Sequence, residues 1–284
     1  MPVITVQEVQ DLIPKLKSKT GERLVRGALH IASLDRVNDL YDRNCHLQGA
    51  DFADALLRDI GIDYQIGNPQ RLETLPEGAF ITISNHPYGH IDGIMLVDLF
   101  GHLRADYKVM VNEILARIRA MGVHFINVTP KGNEETGPKA TSLGGIREAL
   151  AQIRDAHPLG LFPSGAVSDL SLKERCIRDR EWQLPVLRLI QKARVPIVPV
   201  RFFDRNSMLF YRLGLIDWRV RLVRLCAEVF NKRGKTVRLG IGETISPEAQ
   251  DACQTAEELG EMLRRAVYEM PMPGSFLPRS KCRL

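Results

Sequence analysis

The sequence predicts an α/β fold, a mixed sheet flanked by helices, with an N-terminal helical segment in front of it. Apolar residues recur at helical spacing over the first sixty-odd positions, and from about residue 72 short β-rich runs alternate with helical patterns. Clusters of Gly, Pro, Asn and Asp punctuate that alternation, as turns between strands and helices require.

In chain order, Val6, Val9, Leu12, Ile13 and Leu16 form one helical pattern and Leu24, Val25, Ala28 and Leu29 a second. A third, with Asp51 as its candidate cap, includes Phe52, Ala55, Leu56 and Ile60. Residues 79–84, 106–111 and 123–129 read as strands, with a short helix from Ile114 to Met121 between the last two. A helix over 142–154 leads to a strand ending in a tight turn at 159–165, then to a helix over 182–193. The strand at 195–203 contains Pro196 and Pro199, which points to a sheet edge. Residues 236–242 form the last strand, and Ser246-Pro247-Glu248 is a start signal for a closing helix.

A chain of 284 residues, 44% hydrophobic and 26% charged, has the composition of a folded domain, which excludes long disorder. No apolar run approaches the roughly 20 residues of a spanning helix, and the N-terminal residues lack signal-peptide design, so a cytoplasmic protein is expected. The cysteines at 45, 176, 226, 253 and 282 are scattered, with no disulfide or zinc spacing, and no metal is expected. Residues 171–238 hold seventeen Lys and Arg against six Asp and Glu, and the last twelve residues add three cations and no acid. Such an excess calls for an anionic partner: nucleic acid, an acidic membrane surface or a phosphorylated carrier. Within it, 211–230 interleaves Leu, Ile, Val and Trp218 with arginines, which fits an interfacial helix or a core helix with a solvated basic face.

The segment Ser84-Asn85-His86-Pro87-Tyr88-Gly89-His90-Ile91-Asp92-Gly93 carries the strongest chemical signal. A strand ends there, a Pro/Gly loop follows, and an apolar helix begins near Asp92, at the edge where open α/β sheets bind ligands. A His and an Asp six positions apart across such a turn can pair, the carboxylate raising the basicity of the imidazole. The bland alternative is a helix cap beside a turn histidine. His90 competes for the role of base, but two residues from an Asp that opens the helix it would not face it. Ser164 lacks the glycine two positions before it that a nucleophile elbow needs, and Gly132, Gly137 and Gly144 match no phosphate or dinucleotide loop.

Asn85-His86 with Asp92, then Phe162-Pro163-Ser164-Gly165, then Val195-Pro196-Ile197-Val198-Pro199-Val200, follow the order and rough spacing of the glycerolipid acyltransferases. The resemblance covers roughly residues 75–245 and implies an acyltransferase domain over 71–284 behind a helical segment, 1–70. Five residues separate His86 from Asp92 where the common pattern has four, which resembles a bacterial hemolysin-like branch that includes O-acyltransferases completing ornithine or glycine aminolipids.

The resemblance implies direct transfer without a cofactor. His86 would deprotonate a lyso-lipid hydroxyl, Asp92 would orient His86, and the thioester of acyl carrier protein or coenzyme A would be the co-substrate. Asn85, Gly89, Ser164 and Gly165 would line the substrate, with amides near Gly89 or Gly165 stabilising the oxyanion. Phosphatidic-acid-forming members carry phosphate-holding arginines where this chain has Val128 and Val167. The contact therefore moves to Arg175, Arg178 or Arg180, with Arg201 nearby in sequence to the last block, or the acceptor is an N-(3-hydroxyacyl) amino acid with no phosphate. The expected setting is the cytoplasmic face of the inner membrane, peripherally on an anionic surface. A thioesterase, a 1-acylglycerol-3-phosphate acyltransferase and a basic nucleic-acid-binding protein remain the competing readings; the last lacks stacking aromatics and a binding motif.

Overall fold

Two helices, α1 (Leu34–Asn44) and α2 (Gly49–Ile60), lead into strand β1 (Gln65–Gly67) and then β2 (Ile81–Ser84) in a computed structural model of the chain. It describes residues 33–112, 115, 117–128, 140–216 and 218–282, with Ser18 and Gly27. Helix α3 (His90–Leu103) carries the chain to β3 (Lys108–Asn112) and β4 (Phe125–Val128), and α4 (Ala140–Arg154) to β5 (Leu159–Leu161). A small antiparallel hairpin, β6 (Asp169–Ser171) and β7 (Cys176–Arg178), precedes α5 (Leu184–Ala193) and β8 (Ile197–Phe202). Helices α6 (Met208–Ile216) and α7 (Trp218–Phe230) follow, then β9 (Arg238–Ile241), α8 (Pro247–Gln250), α9 (Ala256–Tyr268) and β10 (Phe276–Pro278).

Among the described residues eight strands form one sheet in the order β10-β1-β9-β8-β2-β5-β3-β4. The run from β8 to β4 is parallel, β1 is parallel to β9, and the β8/β9 and β1/β10 pairs are antiparallel, so the sheet is mixed as expected. Alternation along each strand divides the core between the two faces. Ile81, Ile83, Leu159 and Leu161 pack with Ile153, Ile190, Leu259 and Leu263 from α4, α5 and α9. Val198, Val200 and Phe202 face the other way, toward Phe52 and Leu56 of α2 and Met95 and Leu99 of α3. Burial of each such side chain contributes about 1.5–3 kcal/mol, and coverage on both faces leaves every residue of β2 buried, the polar Thr82 and Ser84 included. Thr82 hydrogen-bonds the Tyr107 hydroxyl at 2.7 Å.

The connection leaving β2 runs through α3 to β3 on one side of it, whereas the connection leaving its neighbour β5 runs through α5 back to β8 on the other side. The loop after β2 therefore opens at the carboxyl edge beside a reversal point, where neighbouring connections diverge and leave a crevice.

Several local expectations change. The patterns at 6–16 and 24–29 lie outside the described residues, and residues 65–67, inside the stretch expected to be helical, form β1 because they pair with both β9 and β10. Asp51 sits in the first turn of α2 rather than at its cap, 3.3 Å from His102 Nε2. Of the helix expected over Ile114 to Met121, residues 114 and 116 lie outside the described residues, and 119–121 belong to a 3-10 helix, Arg119–His124. β8 is interior, not an edge, despite its prolines. The Pro199 carbonyl accepts from the Gly242 amide, so its nitrogen faces β9, at a point where the ladder slips by one residue between Ile197↔Ile245 and Val200↔Ile241. A missing donor is tolerated at such a bulge. Ser246 does cap a helix, but α8 is a single turn, and the closing helix α9 starts at the separate cap Thr255.

Among the described residues no helix is long and apolar enough to cross a membrane. The basic C-terminus is tied into the fold. Arg279 makes a two-pronged pair with the buried Asp98 of α3 at 2.8 Å on each oxygen, the Tyr64 hydroxyl donates to the same carboxylate at 2.7 Å, and His102 Nδ1 lies 3.2 Å away. Burial pushes the Asp98 carboxyl up, but His102, Arg279 and Tyr64 together hold it below the usual carboxylate range. Asp98 in turn raises the pKa of His102 against the opposing effect of burial. A raised histidine contributes stability that is fully present below its unfolded value of about 6.5 and is lost as pH rises through the folded value. His102→Gln should thus lower the urea midpoint more at about pH 6 than at about pH 9; an equal loss at both would contradict this pairing.

Candidate active site

β2 is buried along its length and stops at Ser84, which delivers Asn85 and His86 to the carboxyl edge of the sheet. The chain then turns through Pro87, Tyr88 and Gly89 into α3. Gly89 has φ 78° and ψ −109°, and a Cβ there would stand 3.0 Å from Val167 Cγ2 and 3.1 Å from Leu225 Cδ1. Both the backbone and the space call for glycine.

Asp92 is the third residue of α3 rather than its opening residue, and its side chain is fully buried. Oδ2 accepts from the amides of Tyr88 at 2.9 Å and Gly89 at 3.0 Å, and lies 2.9 Å from His86 Nδ1. A carboxylate at a helix start is favoured by the unpaired amides there. Burial still leaves its pKa above the usual value, with His86 and the two amides opposing the rise. The His86 ring is 17% exposed and stacks on Phe162, with centroids 4.1 Å apart. With Nδ1 turned to the carboxylate, Nε2 is the ring position left to take a proton. The 2.9 Å contact between Nδ1 and Oδ2 is not aligned as a hydrogen bond, and histidine–carboxylate contacts of active sites are often loose until substrate binds.

His90 is the first residue of α3. Burial, aided by the charge of His86, pushes its pKa down to about 4. Among the described residues no carboxylate pairs with it.

The loop is held from outside at every carbonyl from His86 to Tyr88. The His86 carbonyl accepts from the Ser168 amide at 2.9 Å, that of Pro87 from the Tyr211 hydroxyl at 2.9 Å, and that of Tyr88 from Asn206 Nδ2 at 3.3 Å. The His86 amide donates to Asp179 Oδ1 at 3.1 Å, and the Ser168 hydroxyl donates to the same oxygen at 2.6 Å. Asp179 is buried and is itself pinned by α9, its amide donating to the Tyr268 hydroxyl at 2.8 Å and its carbonyl accepting from Arg264 at 2.7 Å. Arg221 of α7 reaches Ser168 and pairs with Asp169.

An acyltransferase family model matches residues 15–272 of the chain. The chain belongs to the acyltransferase family. It is similar to the lyso-glycine lipid O-acyltransferase of Bacteroides thetaiotaomicron, with 27% identity over 248 residues that cover 84% of this chain and 87% of that one. The lyso-glycine lipid O-acyltransferase of Phocaeicola vulgatus is 26% identical over 276 residues, 92% and 94% of the two chains. A crystal structure of a 1-acyl-sn-glycerophosphate acyltransferase from Thermotoga maritima aligns with a TM-score of 0.46 and 15% identity, over 77% of this chain and 79% of that one.

Other expected site residues of the acyltransferase take positions the sequence does not show. Asn85 commits both ends of its amide to the backbone of Phe202, at 2.8 and 2.9 Å, and so joins the end of β2 to β8. The Ser164 hydroxyl donates to the Ala166 carbonyl at 2.9 Å. Gly165, at φ 64°, packs against the Gln183 amide where a Cβ would collide. The amides of Gly89 and Gly165 are engaged by Asp92 and by the Phe162 carbonyl, so in this arrangement neither is an oxyanion donor. Of the arginines, Arg178 pairs with Glu174 at 3.0 Å, Arg180 with Asp169, and Arg201 donates to the Met270 carbonyl at 2.6 Å; Arg175 stands at the exposed hairpin tip. A half-open cleft of about 420 Å³ behind Tyr88 is lined by Phe203, Asp204, Arg205, Lys232, Lys235 and Thr236.

Asp179, Ser168, Asn206 and Tyr211 are the residues sequence reasoning missed. The signals in the sequence are slight: a polar pair, Asn206-Ser207, shortly after the strand expected at 195–203, and one acid, Asp179, set between Arg178 and Arg180. Asp179→Ala should leave the His86 amide and Ser168 without their acceptor and lower kcat by about 100-fold, the scale of a ~1 Å misplacement. Asp179→Asn, which keeps the Oδ1 acceptor, should retain most of the rate. Equal loss in both variants would mean that the charge, not the hydrogen bonds, matters.

Proposed function

We propose that this acyltransferase moves a fatty acyl group from a thioester onto the hydroxyl of a lyso-lipid, with His86 as general base and Asp92 as its partner. The observation that supports this most is the buried Asp92 carboxylate 2.9 Å from Nδ1 of a partly exposed histidine at the carboxyl edge of the sheet. The acceptor hydroxyl gives its proton to His86 Nε2 as its oxygen attacks the thioester carbonyl. The ester C–O bond forms, the C–S bond breaks, and the imidazolium returns the proton to the departing thiolate. Asp92 stabilises the imidazolium between those steps. Acyl carrier protein or coenzyme A supplies the thioester.

The acceptor in this reading is an N-(3-hydroxyacyl) amino acid, such as a lyso-glycine or lyso-ornithine lipid. The names of the two bacterial relatives support it. So does Val167, which is packed in an apolar cluster with Phe210, Tyr211 and Leu225 where phosphatidic-acid-forming members hold phosphate. Arg178 and Arg180, two of the arginines offered in place of that contact, are paired to Glu174 and Asp169. A lysophosphatidic acid acceptor is the second reading, and the cations lining the cleft behind Tyr88 favour it as much as they favour a carboxylate. In both cases the enzyme works peripherally at the cytoplasmic face of the inner membrane.

His86→Ala should lower transfer by ~100- to 10,000-fold, as removal of a general base typically does, with Asp92→Asn also severe and His90→Ala milder. A dead His90→Ala beside an active His86→Ala would reverse the assignment. Given the same acyl thioester, the purified enzyme should show a higher kcat/KM for the N-(3-hydroxyacyl) amino acid than for lysophosphatidic acid. The opposite preference would select the phosphate acceptor, and free fatty acid as the sole product would indicate a thioesterase.

A further inference from the structure

Four of the exposed large apolar side chains, Met208, Leu209, Leu215 and Ile216, lie on the nine-residue helix α6, and Ile216 is 80% exposed. At about 100° per residue, these four and Arg212 fall within an arc of about 120°. The opposite face of α6 carries Phe210 and Tyr211, buried against Val167 and Leu225. The helix is thus apolar on both faces, one forming core and the other facing outward, where a soluble surface helix would be polar. β6 packs beside α6, and Leu172, just past β6 at the hairpin tip, is 69% exposed.

Among the described residues, basic side chains edge this face. Arg212 lies within the apolar arc, and Lys173 and Arg175 flank the Leu172 tip, while α6 contains no acid. Glu174, the acid at the tip, is taken by Arg178. Apolar side chains that can enter an acyl boundary, edged by long basic side chains that can reach head groups, match the chemistry of an anionic lipid surface. A second copy of the chain fits less well, because a two-fold contact on this face would bring Arg212 toward its own counterpart.

We infer that the outer face of α6, with the Leu172 tip, is the surface on which the enzyme lies on anionic lipid. The inference rests on the proposed reading that the acceptor is a lipid. The surface is continuous with the candidate site, since Tyr211 of the same helix donates its hydroxyl to the Pro87 carbonyl, one residue from His86. Ser168, which leads into the hairpin, holds the His86 carbonyl. A lipid taken up at this surface therefore meets the elements that hold the catalytic loop.

The test compares the wild type with Leu215→Ser/Ile216→Ser and with Arg212→Glu, using sedimentation with phosphatidylglycerol vesicles and with phosphatidylcholine vesicles. The wild type should bind phosphatidylglycerol, and each variant should bind it about tenfold more weakly. The thermal midpoint and the rate on a short-chain, monomeric acceptor without vesicles should stay at wild-type values, which separates lost binding from lost folding. Wild-type binding by either variant, or no vesicle binding by the wild type, would overturn the inference. So would a wild-type dimer that the double substitution dissociates, since the face would then join two copies. Weakened vesicle binding in an enzyme that transfers to no acceptor would leave the surface standing and remove the proposed function instead.

Discussion

Asp92 carries its carboxylate into full burial, where one oxygen serves two loop amides and the ring of His86 at once. An isolated carboxylate in that position would cost several kcal/mol, so the Tyr88 and Gly89 amides must converge on it and the histidine must lie beside it. That convergence sets the shape of the loop. It forces Gly89 to a positive φ, places Asp92 in the first turn of α3, and accounts for five residues between the pair. His86 and Asp92 belong to one local turn, and the rest of the fold acts to keep that turn from relaxing.

Its supports come from distant parts of the chain. The hairpin β6/β7 supplies Ser168 and Asp179 at its two ends, α9 clamps Asp179, and α6 and the segment before it supply Tyr211 and Asn206. Asn206 is held in turn by the buried Lys232, whose ammonium lies 2.8 Å from Oδ1 and 3.3 Å from Glu228. Glu228 accepts from the amide and hydroxyl of Ser207, which start α6. Burial lowers the pKa of Lys232, and Glu228 opposes that shift. A satisfied buried network of this kind fixes position more than it adds stability.

Local features were legible in the sequence and distant partnerships were not. β2, its turn and α3 are readable because an apolar run, Pro87, Gly89 and an apolar helix follow one another within twenty residues. The His86–Asp92 pair is readable for the same reason. Asp179 lies 93 residues from His86, and no periodicity links them. The prolines of β8 suggested an edge because a one-residue slip in a neighbouring ladder leaves no mark on the strand itself. The basic block over 171–238 suggested free charge, yet Arg180, Arg194, Arg221 and Arg238 are paired with Asp169, Asp251, Asp169 and Asp204. A sum of charges along the chain cannot register partners brought in by folding. The segment over 211–230 read as one helix with an uncertain face, whereas the chain forms two, and the outward apolar face lies on the first of them.

The central claim is that Asp92 holds His86 with Nε2 free to accept a proton. Nitrogen-15 NMR of the histidine side chains at neutral pH tests it directly, with the His86 signals identified from their absence in a substituted protein. The account predicts His86 as the tautomer protonated at Nδ1, with an unprotonated Nε2, and predicts that Asp92→Asn mixes the tautomers. A His86 protonated at Nε2 in the native enzyme, or a tautomer unchanged by Asp92→Asn, would contradict it.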